Sequence, residues 1–154
     1  MFCGDCHHMA RTLTLIDARM NTRFLFGAFS LCFTSFLTFS QEQTFDLQLS
    51  IDRGKEIYIA QCMSCHMENG EGLADVYPPL AKADFLMADK LRSIDNIIHG
   101  LSGEIVVNGK TYNMEMTAFD MTDEEVSDVL NYIRNSWGNE GEPVTPEEVR
   151  AVRK

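Results

Sequence analysis

The five residues Cys62-Met63-Ser64-Cys65-His66 constrain this chain more than any other feature. The spacing C-x-x-C-H is the signature of covalent c-type haem attachment. Two thiols with two residues between them can reach both vinyl groups of one porphyrin as thioethers, and the adjacent His then sets an imidazole nitrogen under the iron. Three other readings compete. A structural zinc site needs four ligands; Cys62, Cys65, His66 and His99 would supply four, but no second pair at finger spacing follows. A thioredoxin-like redox pair needs a βαβ setting, and strand signals here are weak. The third is a chance match, which the export signal and the methionines described below argue against.

The 154 residues fit one domain, and a net charge of −10 makes a phosphate backbone the wrong partner, so no nucleic acid is expected. Composition is uneven along the chain. Seven of the ten Phe and three of the five Cys lie within residues 1–39. Residues 24–39 read FLFGAFSLCFTSFLTF, uncharged, with Arg19 and Arg23 just before and the small residues Thr38 and Ser40 just ahead of Gln41. Basic end, apolar run and small-residue site describe a secretory signal peptide over 20–40. The run is shorter and richer in Ser and Thr than the roughly 20 apolar residues of a membrane span; an uncleaved anchor is the rival. Cys32 does not read as a lipid-attachment site, because Leu31 before it is large. Met20 is a natural start, which makes 1–19 a non-native or upstream extension. The compartment implied is periplasmic or secreted, with no membrane attachment after cleavage. Without 1–40, 21 of the 23 acids and 10 of the 13 bases remain, a net charge of −11. Two Cys with two residues between them in an exported chain make no disulfide framework.

The remaining chain reads as all-α with long loops. Residues 52–61, DRGKEIYIAQ, form a short helix leading into the Cys pair. Residues 67–83 carry Gly, Asp and Pro78-Pro79 and read as loop. Residues 93–99 form a short helix that stops at Gly100. Ile105-Val106-Val107 before Asn108-Gly109 points to a small hairpin. Thr122 and Glu125 form a capping box, and Val126, Val129, Leu130 and Ile133 fall on one stripe of a helix that Gly138 ends. Thr145-Pro146-Glu147-Glu148 opens a last short helix over 147–153. So few short helices build a thin core, and a buried porphyrin would supply the missing apolar volume.

A Met thioether opposite the His closes the iron and raises its potential. Met63 and Met67 sit too near His66 to cross the ring; Met87, Met114, Met116 and Met121 remain. His99 is the rival ligand, although a His at a helix C-terminus is already explained by the helix dipole. An open sixth position is the third possibility.

From Ile51 to Asn139 the chain resembles the class I monohaem cytochromes c, nearest to small domains free or fused to copper nitrite reductases and quinoprotein dehydrogenases. The stretches that carry the resemblance are RGKEIYIAQCMSCH, YPPLAKADFLM, IIHGLSGEIVVNGKTYN, MTAF and VLNYIRNSWGN. The resemblance implies the cytochrome c fold, with 4–5 short helices around one covalently bound haem c per chain. It divides the chain into a linker over 41–50, a cytochrome c domain over 51–139 and a C-terminal extension with a short helix over 140–154. It implies Met116 as the sixth ligand, from a Met-Pro-Ala-Phe-like segment; Thr117 stands where the family has Pro, and Met114 is the alternative. It maps the carbonyl that holds the proximal His onto Pro78. It sets Gly54 and Tyr58 of the first helix against Val129 and Tyr132 of the last. Tyr132 and Trp137 are expected to pack near the haem.

Cys3-Gly4-Asp5-Cys6-His7 repeats the attachment signature. It precedes the apolar leader, so it stays on the side where haem is not attached, and it reads as an exposed thiol pair. The function expected is electron transfer by one His/Met haem cycling Fe(III)/Fe(II), between a dehydrogenase or quinol-oxidising donor and a terminal oxidase or reductase. The chain reads as a monomer and as no enzyme, with redox proteins as partners and a basic docking face on them matching its acidity. The rivals are a haem subunit held permanently in an oxidoreductase complex, and a haem sensor or peroxidase with an open sixth site.

Overall fold

Helix α1 (Leu47–Gln61) starts earlier than residue 52, where the apolar pattern placed it. Asp46 caps it, accepting from the Leu49 N–H at 3.1 Å. Its inward stripe is Ser50, Gly54 and Tyr58, spaced four apart. Two of those three are not apolar, so hydrophobic periodicity could not see the first turns. The computed structural model describes residues 44–154. The expected signal peptide, the expected 1–19 extension with its second Cys-Cys-His motif, and the start of the expected linker lie outside the described residues. The rest of that linker contains the first turn of α1.

Five more helices and one hairpin follow in the described residues. They are α2 (Met63–His66), α3 (Asp84–Ala88), α4 (Lys90–His99), β1 (Ile105–Val107), β2 (Lys110–Tyr112), α5 (Asp123–Arg134) and α6 (Pro146–Val152). Helix α4 begins at Lys90 because Asp89 caps it, accepting from the Arg92 N–H at 3.0 Å. The two strands pair antiparallel, Ile105 opposite Tyr112. Asn108 and Gly109 both take positive φ, 51° and 77°, as a tight primed hairpin turn requires. Both Thr-Glu capping boxes, Thr122 with Glu125 and Thr145 with Glu148, are closed in both directions.

Helix α5 ends at Arg134, not at Gly138. Asn139 explains the early stop. Its amide donates to the Ile133 carbonyl at 2.8 Å and to the Leu80 carbonyl at 2.9 Å, while its oxygen accepts from the Lys82 N–H at 2.7 Å. One side chain thus caps the helix and ties it to the loop that follows α2.

Helices α1 and α5 cross backbone against backbone. A Cβ added at Gly54 would lie 1.9 Å from the Asp128 carbonyl oxygen and 2.9 Å from the Tyr132 Cβ. Buried polar groups lock this contact. Asp128 accepts from the Ser50 hydroxyl at 2.6 Å and from two Arg53 nitrogens at 2.6 and 2.8 Å. Asn131 donates to Ser50 Oγ and to the Val144 carbonyl, both at 2.8 Å, and accepts from the Val144 N–H at 2.7 Å.

Residues 140–154 are more than an appendage. Val144 and Val149 are both 0% exposed and belong to the core. Lys90 on α4 donates to Glu148 at 2.6 Å, and Arg150 on α6 and Arg153 just after it both reach Asp123 at the start of α5.

Two outcomes follow. Gly54→Ala pushes a methyl into a carbonyl, so stability falls by about 3 kcal/mol, at the upper end of overpacking costs. Thermal unfolding followed by far-UV circular dichroism reads this as a melting point lower by about 12–24 °C, at roughly 4–8 °C per kcal/mol for a small domain. Burial pushes the Glu148 carboxyl up, but the Lys90 ammonium and the Thr145 N–H outweigh it and hold the group below its ordinary 4.5. A depressed carboxyl stabilises the fold above its unfolded pKa, and the gain is lost as pH falls through the folded value. The melting point of the unaltered chain therefore drops more steeply below about pH 5 than that of Glu148→Gln.

Candidate functional site

The Cys-Cys-His motif sits where α1 gives way to α2. Cys62 closes α1, its N–H donating to the Tyr58 carbonyl at 2.9 Å. The His66 N–H donates to the Cys62 carbonyl at 2.9 Å, so the motif makes one helical turn. Cys62, Cys65 and His66 are three and four apart and share a face of that turn. The helix then breaks at Met67, which takes φ 64°. The buried Tyr58 hydroxyl donates to the Met67 carbonyl at 2.6 Å and fixes the break. Sequence reading gave Tyr58 a packing role only and missed this bond.

The loop after the break folds back on its glycines. Gly72, at φ 67°, donates to the His66 carbonyl at 3.0 Å, and a Cβ there would strike the Pro78 carbonyl oxygen at 2.6 Å. That close approach presents the Pro78 carbonyl to His66 Nδ1 at 3.0 Å. With Nδ1–H donating there, the other ring nitrogen, Nε2, is left as a lone-pair donor. Burial pushes the His66 pKa down, against a smaller upward pull from the Pro78 bond. The imidazole is therefore neutral, the form that binds a metal. Burial, with Cys65 beside it, pushes the Cys62 thiol up to about 11. That thiol is not a ready thiolate for redox exchange.

Met116 stands on a separate wall. Its backbone pairs with Leu101 in both directions at 2.9 Å. Gly100 makes the pairing possible, since a Cβ there would lie 2.7 Å from the Met116 carbonyl oxygen. Cys62, His66, Pro78 and Met116 line both of two adjoining cavities that enclose about 750 and 930 Å³ of empty space, part of it open to solvent. Leu80, Phe85, Ile97, Leu130 and Ile133 make the inner walls apolar. Cys65 and Met114 line only the outer cavity, and Met114 is 52% exposed. His99 lies on neither wall; its side chain is 53% exposed and its Nδ1 is 2.8 Å from Asp95. Among the described residues no three His, Cys, Asp or Glu side chains converge on a metal position.

The Cytochrome c family model matches residues 51–137. The chain belongs to the cytochrome c family. It is 39% identical to "Cytochrome c-552" of Thermus thermophilus over 117 residues, 70% of this chain and 78% of that one. It is 33% identical over 90 residues to the "Alcohol dehydrogenase (quinone), cytochrome c subunit" of Gluconobacter oxydans, 56% of this chain but 18% of that one. It is 32% identical to the "Gluconate 2-dehydrogenase cytochrome c subunit" of Pantoea cypripedii over 108 residues, 66% of this chain and 24% of that one.

A cytochrome c carries covalently bound haem c and transfers electrons. The residues present fit that group: an apolar slot, a thiol pair on its rim, a neutral oriented imidazole and a thioether on its walls. Tyr132 and Trp137 line neither cavity. With Tyr58 they form an aromatic cluster, ring centroids 5.0–5.4 Å apart, in which Trp137 covers Gly70. The cause is helical phase. Tyr132 lies one turn from Asp128 on the stripe that meets Gly54, whereas Val129, Leu130 and Ile133 share the stripe that faces the cavity. Tyr58→Phe should cost about 1–2 kcal/mol, the value of one buried hydrogen bond to a carbonyl left unpaired, read by urea unfolding of the holoprotein.

Proposed function

We infer that this cytochrome c is a single-haem carrier in which Cys62 and Cys65 form the thioethers and His66 and Met116 are the axial ligands. The observation that supports this most is that Met116, 50 residues after His66 in sequence, lines the same apolar slot as Cys62 and His66. When bound, the haem supplies a one-electron Fe(III)/Fe(II) couple. The chain's own residues hold and tune it. Pro78 fixes the His66 ring through Nδ1–H, a bond that also raises the basicity of Nε2. The Leu101 pair holds the Met116 backbone. Leu80, Phe85, Ile97 and Leu130 exclude water, so that little reorganisation accompanies a change of charge. A soft thioether opposite the imidazole favours the reduced state.

Export to the periplasm rests on the leader at 20–40; among the described residues no helix is long and apolar enough to cross a membrane. The acidic chain suits partners with a basic docking face. A dehydrogenase or quinol-oxidising donor and a terminal oxidase or reductase as acceptor complete the reading, with the protein acting as a monomeric carrier and not as an enzyme. The names of two relatives, cytochrome c subunits of an alcohol and a gluconate dehydrogenase, favour a second reading, a subunit held in such a complex. Gel filtration of a native extract separates the two, a small species for the carrier and a large one for the subunit.

The ligand set is tested by substitution. Met116→Ala should lose the sulfur-to-iron band of the ferric spectrum, turn high-spin and shift to lower potential. Met114→Ala should keep all three properties. A Met116→Ala protein that stays six-coordinate and low-spin removes Met116 as the ligand.

A further inference from the structure

Arg153 lies beyond the matched family segment and lines neither cavity, yet it grips the segment that carries Met116. Its Nη2 donates to the Met121 carbonyl at 2.7 Å, and its Nε donates to Asp123 at 2.8 Å. Asp123 takes a second guanidinium donor from Arg150 at 3.1 Å. The Met121 side chain, 9% exposed, forms part of the inner cavity wall. Between Met116 and α5 the loop has few other restraints. The Phe119 N–H donates to the Ile97 carbonyl at 3.0 Å, and the Leu101 pair holds Met116 itself. Thr117 stands next to Met116 and does not fix φ as a proline would.

We propose that α6 is a strap on the Met116 loop and that Arg153 is a positioning residue for the sixth ligand. The inference rests on the reading of Met116 as that ligand. Helix α5 is anchored by its crossing with α1, so the loop can swing only about its junction with α5. Met121 is at that junction. A charged donor on its carbonyl belongs to the stronger class of hydrogen bond. The strap itself is anchored at its other end, where Val149 is buried and Glu148 meets Lys90. Releasing Met121 lets the loop lift once the Leu101 pair opens. A haem held by Met116 would then be open to exchange of the thioether for an added imidazole nitrogen, with no electron and no proton transferred.

The experiment measures how fast imidazole displaces the native sixth ligand in ferric holoprotein, by stopped-flow absorbance. Arg153→Ala should accelerate displacement by about ten- to a hundred-fold, the factor set by one lost hydrogen bond from a charged donor. Arg153→Lys keeps a cation beside Asp123 but cannot fork to Met121, and should also be faster than the unaltered protein. Tyr58→Phe, which loses a buried hydrogen bond on the His66 side, should stay within about two-fold, since loss of stability elsewhere does not free the loop. Unchanged rates in Arg153→Ala, a Lys variant restored to the original rate, or equal acceleration in Tyr58→Phe each overturn the strap. Met116→Ala reports on the underlying reading separately. If it keeps the low-spin spectrum, the ligand assignment fails and not the measurement of the strap.

Discussion

The contact of Gly54 with the Asp128 carbonyl sets the frame for everything else in this cytochrome c. Two helices that meet at backbone distance have almost no freedom to slide or rotate. Their phase decides which residues of α5 look at α1 and which look at the haem slot. A shift of one residue turns a helix by about 100°. It would carry Val129 and Leu130 off the cavity wall and bring a side chain into Gly54. The far end of α1 holds Cys62 and leads into His66, so the crossing also places the thiols and the imidazole against the α5 wall. The aromatic cluster of Tyr58, Tyr132 and Trp137 sits beside the crossing and braces it, at about 0.5–1.5 kcal/mol per ring pair beyond area burial.

The polar groups at this crossing need a physical account, because burying a carboxylate is costly. Asp128 is 4% exposed, and an ion removed from water costs several kcal/mol before partners are counted. Arg53 offsets that cost with two short hydrogen bonds while its own side chain stays 58% exposed, so only one of the two charges is fully desolvated. Ser50 satisfies a further lone pair. The network extends through Asn131 to both backbone groups of Val144. An apolar set of the same volume would fill the space, but it would not select one register. Here each donor finds its acceptor in a single alignment of α1, α5 and the segment before α6. This is why residues after the matched family segment belong to the same core as the residues within it.

What could be read in advance follows from how each feature is encoded. The attachment motif, both capping boxes and the Asn-Gly hairpin depend on neighbours in sequence, and local chemistry is written locally. The start of α1 was hidden because its buried face carries Ser50 and Gly54, whose value lies in contacts with residues more than 70 positions away. The end of α5 was hidden because Asn139 stops it from outside the helix. Met116 could be chosen over Met114 only through family resemblance; the backbone pair with Leu101 that favours it joins segments with no shared pattern. Which surface Tyr132 and Trp137 cover was hidden for a related reason. An aromatic residue near a cofactor motif has two apolar surfaces it could cover, and only the helical phase imposed by Gly54 decides between them.

The two sides of the slot are held by different physics. On the His66 side the imidazole is five residues past the end of a long helix, inside a turn of backbone hydrogen bonds, and its ring is oriented by Pro78. The loop that brings Pro78 there is folded on Gly72 and closed by bonds from Leu80 and Ala81 to Gly70. On the Met116 side the thioether sits in a loop, tied by one pair to Leu101, one bond to Ile97 and the Arg153 guanidinium on the Met121 carbonyl. Segments held by few hydrogen bonds and little buried surface open at lower free energy than the elements around them. The asymmetry therefore puts local opening on the thioether side, where the proposed bond from sulfur to iron would add to the few ties of the loop. A carrier needs that bond for its potential and for exclusion of other ligands. The chain holds the imidazole wall by its fold and the thioether wall by contacts around the loop, so substitutions in α1 should be felt as loss of the whole domain and substitutions around residues 114–121 as exchange at the iron.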